Sequence, residues 1–276
     1  SNIRALPKTL NELKIVCFSE ESTISEITEM VSKDPMFSAI ILRTVNSPYI
    51  GLVNKVSKVS IAVSLLGKKN VGAIVLLEIG KSTHEIENLE AYDILLDDLI
   101  DVTLTRCKFL EGWLKYIDLS EDAKDDLISL MYLMPLGMIL TNAAFIMNKS
   151  TQRFKNLLPN SKSLLSLETS MLGFNNLNAL EKLFTIWSIP NSIKRIISTV
   201  REQSLGAPSK TIETQAKIIN ITTKLFAYNG DFIISKDIIR HVENRNLSDV
   251  DMKNVFFEIT NRKQSGNIKD IIKKDI

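Results

Sequence analysis

Residues 34–51 read Asp-Pro-Met-Phe-Ser-Ala-Ile-Ile-Leu-Arg-Thr-Val-Asn-Ser-Pro-Tyr-Ile-Gly, and they decide how the rest of the chain is read. Asp34 can cap a helix, and Pro35 suits its first turn, where the missing N–H costs nothing. Apolar residues recur at helical steps to Val45. Asn46-Ser47-Pro48 then stops the helix, because the residue before a proline is pushed out of the α region. A loop holding Tyr49 and Gly51 follows.

The same grammar continues outward. Toward the N-terminus, Leu10, Leu13, Val16 and Cys17 predict a helix over about 8–18. Thr23-x-x-Glu26 is a capping box, opening a helix whose apolar face is Ile24, Ile27, Met30 and Val31. Toward the C-terminus, Ser57 is expected to cap a helix carrying Val59, Val63 and Leu66 and ended by Gly67. Val71 to Ile79 forms the next. Further helices are expected at about 91–116, 121–147, 162–172, 177–187, 191–203, 211–228 and 248–262. Pro135 falls inside the second of these seven spans and predicts a kink or break within the core. No alternating strand run and no long-period repeat is found, so the fold class is all-α.

Composition agrees. The 276 residues include only 10 glycines and 7 prolines, well under the usual ~7% and ~5%. So few turn residues argue against sandwiches, barrels and glycine-loop nucleotide folds. A net charge of +2 disfavours a dedicated nucleic-acid binder. The basic residues are scattered, with no aromatics between them to stack bases. Two cysteines, Cys17 and Cys107, exclude a disulfide framework and imply a cytoplasmic protein. The charged, helical start does not read as a signal peptide. Leu127–Met147 is the most apolar stretch, but Pro135, Gly137, Thr141 and Asn142 interrupt it, so a core helix is expected and no membrane span.

Leu6-Pro7, Asp34-Pro35, Leu42-Arg43, Asn46-Ser47, Tyr49, Gly51, Ile61-Ala62 and Leu66-Gly67 follow one another in an order and spacing that resemble the HDOD domain, the HD-related output domain of bacterial signalling proteins. Glu168, Leu172-Gly173-Phe174, Trp187 and Ile189-Pro190 resemble its later segment. The resemblance implies a two-lobed helical fold related to the HD phosphohydrolases, with an N-terminal lobe over 3–88 and an HD-like lobe over 89–276. It also implies a non-enzymatic output or scaffold module that binds protein partners of a bacterial signalling pathway and needs no cofactor. Active relatives carry a His-Asp pair before a glycine; this chain has Met134-Pro135-Leu136-Gly137 there. Another metal histidine would fall at Asn176, and more within Thr199–Arg201. No catalytic residue and no metal ligand is therefore expected. The two histidines, His84 and His241, each read as structural.

One rival enzyme reading rests on Asp97-Asp98-x-x-Asp101, which resembles the aspartate-rich motif of prenyl-diphosphate synthases and can present carboxylates to Mg²⁺ for a phosphohydrolase or prenyl-diphosphate chemistry. No basic run follows to hold phosphates, and Asp93, Asp97 and Asp101 lie opposite Leu95, Leu99 and Val102, as on a solvated helix face. A nucleic-acid-associated regulator, resting on the slightly basic balance alone, is the other. For partner binding the candidates are Arg43, Asn46, Ser47 and Tyr49, at a groove between the lobes. Their plainer role is to close hydrogen bonds around the turn, with Arg43 paired to Asp34 or another acid.

Overall fold

The computed structural model describes residues 6–47, 50, 52–82, 88–161, 163–201 and 208–225. Tyr49, His84, His241 and the helix expected at 248–262 lie outside the described residues.

Five helices form the first lobe. They are α1 (Lys8–Phe18), α2 (Ile24–Lys33), α3 (Pro35–Val45), α4 (Val59–Leu66) and α5 (Lys68–Ser82). The start signals work as their chemistry demands. In the capping box, Thr23 Oγ1 accepts the Glu26 N–H while Glu26 Oε2 accepts the Thr23 N–H. Asp34 Oδ1 accepts the Met36 and Phe37 N–H groups. Ser57 does not cap α4. Lys58 stands at that position without a side-chain bond, because the entry is set from outside: the Asn46 amide grips the backbone of Val56 on both its N–H and its carbonyl. Gly67 ends α4 at φ +78, a backbone region most side chains avoid, and the chain turns there by 104° into α5.

The second lobe opens with a two-stranded antiparallel hairpin, β1 (Asn88–Leu89) and β2 (Ile94–Leu95), around a 3₁₀ turn at Glu90–Tyr92. The helix expected from residue 91 therefore starts later, as α6 (Leu96–Trp113). Asp93 is the reason: it sits at φ +58 and breaks the helical path, with its carboxylate held by Lys155 at 2.6 Å.

The span expected at 121–147 is two helices, α7 (Glu121–Leu133) and α8 (Pro135–Met147). They part at Met134, because Pro135 has no N–H to continue the ladder, and Pro135 is buried. By length and apolarity this pair could cross a membrane, yet 67% of its apolar window is buried inside the protein. Next come α9 (Thr151–Leu157), α10 (Leu164–Leu172), α11 (Asn176–Ile186), α12 (Asn191–Val200) and α13 (Lys210–Leu225).

One continuous apolar core runs from Leu10 to Leu225. α5 is its centre. Every residue from Val71 to Leu77 is buried, with α1 on one side and α7 on another. At the join with α1, a Cβ on Gly72 would come within 2.7 Å of Cys17 Cβ, so glycine lets the two helices touch. Burial pushes the Cys17 thiol up to about 12, and that of Cys107 well above its ordinary range, so both stay neutral thiols.

Candidate functional site

Two of the stretches compared above with metal-ligand positions of HD relatives, the one ending at Gly137 and the one at Asn176, lie side by side. α8 begins with Pro135, and its Gly137 lies against α11 so closely that an added Cβ would be 2.4 Å from the Asn176 carbonyl oxygen. Asn176, the first residue of α11, is buried and faces Glu168 of α10. Its backbone N–H donates to Glu168 Oε2 at 2.7 Å. Its side-chain amide donates to both carboxyl oxygens, at 3.0 and 2.9 Å.

From the other side the Tyr92 hydroxyl donates to Glu168 Oε1 at 2.6 Å. The same hydroxyl touches Thr141 Oγ1. Asn142 Oδ1 accepts the Ala91 N–H at 2.9 Å, fixing the hairpin that carries Tyr92. The Tyr92 ring packs edge-on against Phe145 and Phe154. Glu168 is wholly buried with no cation among these partners. Burial raises its pKa, and the hydrogen bonds from Tyr92 and Asn176 only partly oppose this.

Chemically the cluster is closed. Both Glu168 oxygens are occupied by Tyr92 and Asn176, and Gly137 fills the space beside Asn176. Among the described residues, no three or more His, Cys, Asp or Glu side chains come together so as to hold a metal ion. Asp97 and Asp98 are exposed and Asp101 is half-buried on α6, so the structure does not draw the aspartate motif into such a group. At the end of α12, Arg201 pairs with Glu181.

The turn candidates separate by role. Arg43 is 68% exposed and pairs with Glu78 of α5 at 2.8 Å, not with Asp34. Asn46 is committed to the Leu42 carbonyl and to Val56. Ser47 Oγ is buried without a hydrogen-bond partner. Sequence reasoning named Glu168 and Asn176 but missed Tyr92, which it placed at a helix start. Thr141 and Asn142 carried a signal in the sequence: they are polar residues inside the most apolar stretch, and both are fully buried.

Comparison with known proteins places these features. The HDOD domain family pattern matches residues 3–203. No curated protein sequence matches the chain. Among solved structures, an HDOD domain protein of unknown function from Geobacter sulfurreducens aligns at TM-score 0.61 and 13% identity, over 95% of this chain and 90% of that one. A candidate metal-dependent phosphohydrolase from Shewanella amazonensis aligns at TM-score 0.59 and 14% identity, over 94% and 91%. A candidate signal transduction protein from Marinobacter aquaeolei reaches TM-score 0.68 at 14% identity, over 94% of this chain and 57% of that one. With its two helical lobes and a family pattern that spans the Glu168–Asn176 cluster, the chain belongs to the HDOD domain family.

Proposed function

We propose that this chain is a non-catalytic signalling module of the bacterial cytoplasm that acts by binding a protein partner. The observation that carries the reading is the Glu168 cluster. At the places where active relatives hold metal, Asn176 directs every N–H it has at Glu168, and Gly137 abuts its backbone. A carboxyl group held this way is a packing element, since its lone pairs already meet donors. The names of the structural neighbours divide between phosphohydrolase and signal transduction, and this cluster favours the second.

The contact surface we assign is the end of α3. Arg43 offers an exposed guanidinium steadied by Glu78, and arginine is a common interface anchor. Asn46 is the positioning residue: by bonding both backbone groups of Val56 it ties the end of α3 to the approach to α4.

The test has two arms. The purified chain is assayed on phosphomonoesters and phosphodiesters with added Mn²⁺, Fe²⁺ or Mg²⁺; no turnover is expected, and metal-dependent turnover lost on chelation overturns the reading. In parallel, Arg43→Ala is expected to abolish capture of the partner isolated with the wild-type chain while the melting temperature stays nearly unchanged.

A further inference from the structure

A cleft of about 500 Å³ lies between α1 and α2. Its apolar side is Ile15, Val16 and Met30, and its charged lining is Glu21, Glu26, Glu29 and Lys33. Ile15 is 56% exposed, on the side of α1 away from its buried face. Met30 is half-buried beside it. Methionine adapts its shape to what packs on it and is over-used at peptide-binding surfaces.

The charged lining of the cleft is net acidic, three carboxylates to one ammonium, in a chain whose overall balance is +2. Residues 15–32 hold four glutamates and no lysine or arginine. The nearest cations are already engaged. Lys33 bonds Glu29 at 2.5 Å. Lys68 directs its ammonium at the carbonyls of Ser19, Glu20 and Ser22, at 2.7, 3.1 and 3.3 Å. That last set of bonds also ties down the α1–α2 connection beside the cleft.

We infer that this cleft docks an amphipathic helix of a partner protein that carries an apolar stripe flanked by lysines or arginines. The inference rests on the binding-module reading above and adds a second surface, built from other residues. An apolar strip between two helices takes a third helix by its i, i+3, i+4, i+7 side chains. The acidic rim selects the sign of the flanking charges, setting encounter rate and partner choice. The cleft offers no exposed strand edge, so an extended peptide gains no backbone ladder there.

The probe is a fluorescently labelled 18-residue Leu/Lys peptide with helical spacing, set against the same pattern with Glu in place of Lys. Binding is read by anisotropy and mapped by backbone amide shifts. The Lys peptide is expected to bind, to weaken as salt rises, and to shift amides around Ile15, Ser19, Ser22 and Met30. Ile15→Asp is expected to weaken it at least tenfold, although this variant adds negative charge. Glu21→Lys with Glu29→Lys is expected to weaken it similarly, and these exposed sites keep a test available should Ile15→Asp fail to fold. Unchanged or tighter binding by Ile15→Asp, equal binding of the Glu peptide, or shifts elsewhere on the surface overturns the cleft. Such a failure leaves the non-catalytic reading standing, whereas metal-dependent turnover by the same preparation overturns that reading itself.

Discussion

Glu168 is where a single residue carries the most information. Its folded-state pKa is raised above the ordinary 4.5, because burial disfavours the charged form. The folded state therefore binds this proton more tightly than the unfolded chain does. Its contribution to stability is complete below pH 4.5 and is lost as pH rises through the raised value. Glu168→Gln is expected to remove that slope, because a glutamine can face Asn176 with its oxygen and Tyr92 with its amide. Denaturant midpoints from pH 4 to 8 check this; a variant that keeps the wild-type slope assigns the effect to another group. In the sequence Glu168 was visible only as part of a family-like string. That it is wholly buried depends on Tyr92, 76 residues away, and no local pattern reports such a distance.

Among the elements, features encoded by close chain neighbours were legible, and those set from a distance or by too few residues were not. The capping box at Thr23 and the Asp34-Pro35 start are encoded within four residues, so chain neighbours settle them. The split at Pro135 was legible for the same reason. The α4 entry was misread at Ser57 because the grip comes from Asn46, ten positions back. α9 was missed because its seven residues bury a single apolar side chain, Phe154, too little for a periodic signal. The hairpin at 88–95 has two-residue strands, shorter than any alternation can mark.

Long-range lysines also tie elements together. Lys68 collects three carbonyls at the end of α1. Lys68→Met is expected to cost about 1.5–3 kcal/mol, the range for losing a hydrogen bond to a charged group. Faster amide exchange confined to residues 19–23 is the accompanying sign; unchanged exchange there shows that the loop holds itself.

Across the whole molecule, the two lobes read from the sequence share one core. Lys14 of α1 donates to the Trp187 carbonyl at the end of α11, 173 residues on. Lys69 of α5 reaches Asp126 of α7 at 2.9 Å and Asp122 at 3.1 Å. Burial by itself lowers the Lys69 pKa, and these two carboxylates raise it by more. Asp126 is nearly buried while Asp122 is 70% exposed, so only Asp126 suffers if the lysine goes. Lys69→Met is expected to cost about 3–5 kcal/mol by stranding that charge, and Lys69→Met with Asp126→Leu to recover most of the loss. Unfolding should remain a single transition in both, measured by calorimetry; two separated transitions would show lobes that fold apart. The sequence reading divides the chain at the polar stretch between them. Their union was not, because it is made by buried pairs far apart in sequence.

The burial of α5 on all sides also sets a timetable for synthesis. Lys69 leaves the ribosome 57 residues ahead of Asp126. At about 5–20 residues per second, that separation is roughly 3 to 11 s. Throughout that interval Val71–Leu77, which ends with every residue covered, has α1 but not α7 to lean on. The nascent chain thus displays an apolar helix for seconds before its cover is made. A stall in translation between residues 83 and 133 is the moment at which this protein most needs a chaperone.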